Sequence, residues 1–198
     1  MQAEEVLSGV TLVASDFAAD RADRQLRRHL DPLDFKRLAD AGFLLSGVPA
    51  DMGGLWLDIA HSTRTVSELL RILARGDASV ALVCAMHPAV LSFWLTQTEA
   101  PDSYRAAWLE QTRFVADSAL NGSWWGTITS EPGSGGDVGR TRAVATHAKD
   151  GGYVISGQKH FGSGSGISDS RRLCRKARKR QTGSSWMSGK RSGMAPEA

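Results

Sequence analysis

Thr129-Ser130-Glu131-Pro132-Gly133-Ser134-Gly135-Gly136-Asp137 and Gly157-Gln158-Lys159-His160-Phe161-Gly162-Ser163-Gly164-Ser165-Gly166 are the stretches on which the fold turns. Both are rich in glycine, hydroxyls and free backbone N–H groups, the equipment for holding a large, polar, anionic ligand. Between them lie two β-prone runs, Thr141–Ala148 and Tyr153–Ser156, flanking Lys149-Asp150-Gly151-Gly152. Asp-Gly-Gly in that place predicts a hairpin, because glycine supplies the positive φ of a tight turn. On composition alone the first loop also fits a flexible surface loop. No standard phosphate fingerprint applies: Val138 stands where G-x-G-x-x-G needs glycine, and Gly152–Lys159 misses the P-loop spacing.

Upstream, residues 3–120 read as helical. Asp31-Pro32 is a helix start, with Asp as cap and Pro at N1, and the helix runs through Leu33, Phe35 and Leu38 to stop at Gly42. Val48-Pro49-Ala50-Asp51-Met52-Gly53-Gly54 is a loop by its breakers. Val66, Leu69, Leu70 and Leu73 recur at helical spacing, with Gly76 as the expected C′ residue. Residues 79–96 are apolar on nearly every face, which predicts a buried helix kinked or divided by Pro88. Asp102 is expected to cap a helix through Tyr104, Trp108 and Phe114, and Trp124–Thr129 reads as a strand. The fold class is therefore α+β. An N-terminal all-α domain (1–121) precedes an incomplete antiparallel β-barrel domain (122–169).

Charge separates off residues 170–198, which hold nine of the 24 Lys/Arg but one acid, Glu197. That leaves 15 basic and 20 acidic residues in 1–169, so the body gives no reason to expect nucleic acid. Residues 170–198 read as a disordered basic tail. The abrupt change after Asp169 is read as a shift of reading frame, with the natural continuation lost. The chain alone is accordingly expected to be inactive and marginal in stability. Cys84 and Cys174 form no disulfide framework, the N-terminus lacks a basic leader region, and the longest apolar run is broken by His87, Pro88 and Ser92. A cytoplasmic protein without a membrane span is expected.

The combined pattern is more specific than its parts. Ser/Thr-Glu-Pro-Gly-x-Gly-x-Asp is followed by a hairpin with Asp-Gly-Gly-Tyr-x-Ile-x-Gly-x-Lys, then an aromatic and hydroxyls. It resembles the acyl-CoA dehydrogenase superfamily of flavoproteins over about residues 30–169, including Leu38-Ala39-Asp40-Ala41-Gly42-Phe43 and the Pro49…Gly53-Gly54 loop. The resemblance implies FAD, a middle β-barrel, a C-terminal helical bundle carrying the catalytic base, and usually a homotetramer. It implies that Thr127, Thr129 and Ser130 face the isoalloxazine edge, with Ser130 near its N5/O4 end. Gly135 and Gly136 would lie near the pyrophosphate or the acyl thioester. Phe161, Gly162 and Ser163 would take the place of the family's Trp-Ile-Thr stretch, covering and bonding the flavin. Two departures stand out: Gly136 replaces a serine, and Phe161-Gly162-Ser163-Gly164 replaces Trp-Ile-Thr-Asn. Lys159-His160-Phe161-x-Ser163-Gly164 is closer to the monooxygenase branch, such as the dibenzothiophene monooxygenases, which use reduced flavin (reduced FMN) and oxygen. The implied substrate is an acyl-CoA, or an aromatic or heterocyclic compound in the alternative.

A further alternative is a non-catalytic remnant or interaction module with a basic tail. No catalytic residue is assigned, and no metal-ligand spacing appears. Glu131 and Asp137 are read as organisers of the first loop. His87 reads as a hydrogen-bonded core histidine, with a proton donor near the flavin as the alternative. His160 and Phe161 are expected to point to opposite faces of a strand. Trp124 and Trp125 are read as barrel packing. His61 and His147 show no partner pattern.

Overall fold

The computed structural model describes residues 1–96, 100–133, 137–149 and 152–167. They fall into two units, Met1–Trp125 and Gly126–Ala198. The expectations for Gly135, Gly136 and residues 170–198 fall on positions outside the described residues.

The first unit is helical. α1 (Ala3–Ala19) buries Val6, Val10, Val13, Ala14 and Phe17, the i, i+3, i+4 stripe of one helix face. It packs along α4 (Ile59–Gly76), whose Leu69 and Leu73 are fully buried. Side chains of this size each contribute about 1.5–3 kcal/mol when fully buried. α2 (Arg21–Leu26) leads to α3 (Pro32–Asp40). As predicted, the Asp31 carboxylate accepts from Leu33 N at 2.9 Å, and the chain turns at Gly42 with φ +85°.

Gly76 departs from expectation. It is the last residue of α4, not the residue beyond it, and its role is close approach to α1. A Cβ there would lie 2.4 Å from the Ala14 carbonyl oxygen. Gly76→Ala is therefore expected to push the two helices apart and to cost about 1–3 kcal/mol in a urea unfolding measurement.

The apolar stretch forms α5 (Ala78–Cys84) and α6 (Met86–Leu95), divided at Ala85. Pro88 explains the division. A proline ring collides with the carbonyl four residues back, here that of Cys84, and Pro88 itself sits in the first turn of α6 where its missing N–H costs nothing. Burial is one-sided, which corrects the all-round reading: Val80, Cys84, Val90 and Leu91 are inside, whereas Leu82 and Phe93 are exposed. Ala78–Leu95 has a mean hydropathy of 1.7 and the length to cross a membrane. Its inward-facing residues belong to the core of the helical unit. Burial pushes the Cys84 thiol well above its usual range, so it behaves as an inert core group.

A short 3-10 turn, Asp102–Tyr104, precedes α7 (Arg105–Leu120). Asp102 does not cap α7; its carboxylate accepts from the Arg105 guanidinium at 2.8 Å.

The expected strand at Trp124–Thr129 does not form: among the described residues these have no ladder partner. Trp124 and Trp125 are also not barrel packing. Both are buried in the helical unit. Trp124 lies against Phe35, Phe43 and His87 with ring centroids at 5.3, 5.6 and 5.5 Å, and Trp125 meets Trp94 at 5.9 Å.

In the second unit β1 (Val144–His147) pairs antiparallel with β2 (Tyr153–Ser156), in the register Val144↔Ser156 to His147↔Tyr153. The hairpin is the predicted one, closed by Ala148 N donating to Gly152 O at 2.8 Å. Among the described residues the sheet has two strands, so the fold shown is α+β with a small antiparallel sheet.

Candidate functional site

The two loops that flank the hairpin lie side by side. His160 N donates to Ser130 O at 3.1 Å, and Lys159 Nζ donates to Thr129 O at 3.2 Å. Glu131 joins them. Its carboxylate is buried and pairs with Lys159 Nζ at 2.7 Å. It also accepts from the backbone N–H groups of Arg142 at 2.6 Å and Ala143 at 3.0 Å. The Lys159 hydrogen bond and these N–H donors hold the carboxyl down at about 2. A group so acidic is a poor proton acceptor and a good anchor.

Asp137 organises the backbone that follows it. Its side chain accepts from Gly139 N at 2.7 Å and its carbonyl from Arg140 N at 3.1 Å, which closes the turn Val138–Arg140.

Thr127, Thr129 and Ser130 are half-buried along the stretch that enters the first loop. The carbonyls of Thr129 and Ser130 are taken by the second loop, while their hydroxyls make no hydrogen bond to another described residue. Hydroxyls in that state are the donor set that the carbonyl oxygens and ring nitrogens of a flavin require.

Phe161 is exposed and has φ +57°, a left-handed conformation that costs a bulky residue about 1–3 kcal/mol. The conformation is held by a tight turn in which Ser163 N donates to Phe161 O at 2.9 Å. This corrects the expected alternation of His160 and Phe161 across a strand. Positive φ at Phe161 breaks the pleat, both side chains are exposed, and their rings meet with centroids 4.3 Å apart. Ser163 is half-buried beside them.

His87 belongs to the helical unit and is fully buried. Trp125 N donates to its Nδ1 at 3.2 Å, and its Nε2 lies 3.0 Å from Leu44 O. A backbone N–H can only donate, so Nδ1 is the acceptor and Nε2 carries the proton that Leu44 O receives. Burial lowers its pKa to about 4. His87 is thus a neutral core histidine with both nitrogens engaged, and the reading of it as a proton donor finds no support in this geometry. His61 does have a partner: its Nδ1 lies 2.7 Å from the carboxylate of Asp58, the N-cap of α4. His147 stacks against Tyr153, with centroids 4.3 Å apart. Among the described residues no cluster of His, Cys, Asp or Glu could hold a metal.

Sequence reasoning missed the Glu131–Lys159 pair. The available signal was one acid and one base placed in two loops otherwise built of glycine and hydroxyls.

Comparison with known proteins agrees with the helical unit. The profile of the acyl-CoA dehydrogenase N-terminal domain matches residues 3–113. Among curated relatives, the dibenzothiophene monooxygenase of Mycolicibacterium goodii is 32% identical over 135 residues, covering 67% of this chain and 28% of that protein. The 3-methylmercaptopropionyl-CoA dehydrogenase of Ruegeria pomeroyi is 42% identical over 129 residues, covering 64% and 20%. The benzylmalonyl-CoA dehydrogenase of Aromatoleum aromaticum is 30% identical over 136 residues, covering 68% and 33%. The chain therefore spans a third or less of the length of these relatives. No solved structure matches it at a significant level. The match over more than half of the chain, on a helical unit of the expected build, shows that this chain belongs to the acyl-CoA dehydrogenase family.

Proposed function

We propose that the chain forms part of an FAD-dependent oxidoreductase that carries out α,β-dehydrogenation of an acyl-CoA thioester. The observation that carries this reading is the lacing of the Thr129–Glu131 and Lys159–Ser163 segments, with the Thr129 and Ser130 hydroxyls making no hydrogen bond to another described residue. When bound, FAD supplies the hydride acceptor. Thr127, Thr129, Ser130, Phe161 and Ser163 would hold it, together with Gly135 and Gly136. In the same reading the β hairpin is the start of a barrel, the enzyme is a cytoplasmic homotetramer, and no catalytic base is assigned. Glu131 is committed to Lys159 and two backbone donors, so it organises the site and moves no proton.

A second reading is a monooxygenase that uses reduced FMN and acts on an aromatic or heterocyclic substrate. The Lys159-His160-Phe161-x-Ser163-Gly164 segment and the dibenzothiophene monooxygenase relatives favour it.

Titrating the purified chain with FAD should quench flavin fluorescence to a saturating end point. Preference for reduced FMN over FAD would move the assignment to the monooxygenase, and binding of neither would overturn both readings. Phe161→Gly sharpens the test. It removes the strained conformation, so it should leave stability equal or higher by about 1 kcal/mol while weakening flavin binding.

A further inference from the structure

We propose that Glu131 and Lys159 are positioning residues that set the spacing of the two loops for the flavin; the inference rests on the flavin reading above. The pair ties three separate segments of the second unit. Glu131 comes from the first loop, Arg142 and Ala143 from the approach to β1, and Lys159 from the exit of β2. Lys159 adds a fourth tie, to the Thr129 carbonyl. The next residue along each loop is joined too, through His160 N and Ser130 O. The register of Ser130 against His160 and Phe161 therefore follows from the ion pair one step away.

Physical chemistry says what such a pair is for. The Glu131 and Lys159 side chains are only 5% and 17% exposed. Removing two charges from water costs about as much as their attraction returns, so a buried ion pair is a weak source of stability. What it supplies is registry, since a carboxylate with three donors in fixed directions accepts one arrangement of its neighbours. Registry matters most next to groups that must meet a planar ligand edge, which is where the Thr129 and Ser130 hydroxyls stand. The left-handed Phe161 lies two residues beyond Lys159, in the same segment. A simple staple for the hairpin would lie across the β strands. This pair lies instead at the base of the hairpin, against the loop that carries the candidate contacts.

The experiment compares the complete chain with Lys159→Met, Lys159→Arg and Glu131→Gln. Amide hydrogen exchange at His160 is followed without flavin, and FAD affinity by fluorescence titration. Exchange at Thr146 and Val154, a hydrogen-bonded pair of the hairpin, is the folding control. Lys159→Met and Glu131→Gln should each speed His160 exchange and weaken FAD binding about tenfold, as loss of a supporting partner does at other ligand sites. The hairpin amides should be unchanged, and Lys159→Arg should restore both readouts to within about twofold, because it keeps the charge and the donors. Equal acceleration of the hairpin amides, or failure of arginine to rescue, would reduce the pair to a folding staple. FAD binding and His160 exchange that survive Lys159→Met overturn this inference alone. Absence of FAD binding by the parent chain overturns the flavin reading as well.

Discussion

Replacing Arg24 by methionine is expected to destabilise the helical unit by about 3–5 kcal/mol, the cost of breaking a buried ion network from one side. The Arg24 side chain is 6% exposed. It meets Asp34 through two hydrogen bonds of 3.1 and 2.7 Å and Asp77 through one of 2.8 Å, and its guanidinium lies 3.8 Å from the centre of the Phe17 ring. One side chain from α2 thus ties α1, α3 and the cap of α5, since Asp77 also accepts from Ser79 N and Val80 N. Methionine keeps the volume and removes the charge, leaving two carboxylates in a site built for a cation. Burial pushes the Asp77 carboxyl up, but the N–H of Val80 and the Arg24 guanidinium outweigh it and the net shift is downward. A lowered carboxyl adds stability above its ordinary value of 3.8 and loses it as pH falls through the lowered one. The Arg24→Met variant should lose that increment. Chemical unfolding of parent and variant, followed by circular dichroism, measures the difference; a change below about 1 kcal/mol would show the network to be worth no more than a surface pair.

His87→Ala should cost about as much, some 3–5 kcal/mol, from a cavity plus the stranded Leu44 carbonyl and Trp125 N–H. Its pH signature is distinct. The folded state holds His87 neutral down to about 4, whereas an unfolded histidine takes a proton at 6.5. The contribution is complete above 6.5 and is lost as pH falls toward about 4, because the unfolded chain binds the extra proton. The loss amounts to about 3 kcal/mol at its limit. His87→Gln, which can still donate to Leu44 O and accept from Trp125 N–H, should recover part of the stability and flatten this acid slope. Melting temperatures across that interval separate the outcomes, and an unchanged slope in His87→Gln would place the titrating group elsewhere.

Much of the architecture was legible where one or two residues settle local geometry. Asp31-Pro32 starts α3 because a short carboxylate and a residue without N–H satisfy the helix end. Asp-Gly-Gly between two β-prone runs marks the hairpin, whose strands pair from Val144↔Ser156 to His147↔Tyr153. Pro88 divides α5 from α6, although the break falls at Ala85 because the clash reaches back to Cys84. Residues with several possible partners were harder. Gly76 was read from local chemistry as a helix terminator, while its real constraint is the Ala14 backbone of another helix.

The hydrophobic periodicity, the capping residues and the paired glycine-rich loops were enough to establish a helical domain, a β hairpin and the family resemblance. These depend on the conformational preferences of residues close together in the chain. Packing assigned Trp124 and Trp125 to the helical core, engaged both nitrogens of His87, and brought Glu131 to Lys159. Each of those outcomes turns on which groups find each other out of water across long separations in sequence. A tryptophan looks the same before a helix core or a barrel, and a glutamate is a surface charge until a lysine and two N–H groups surround it.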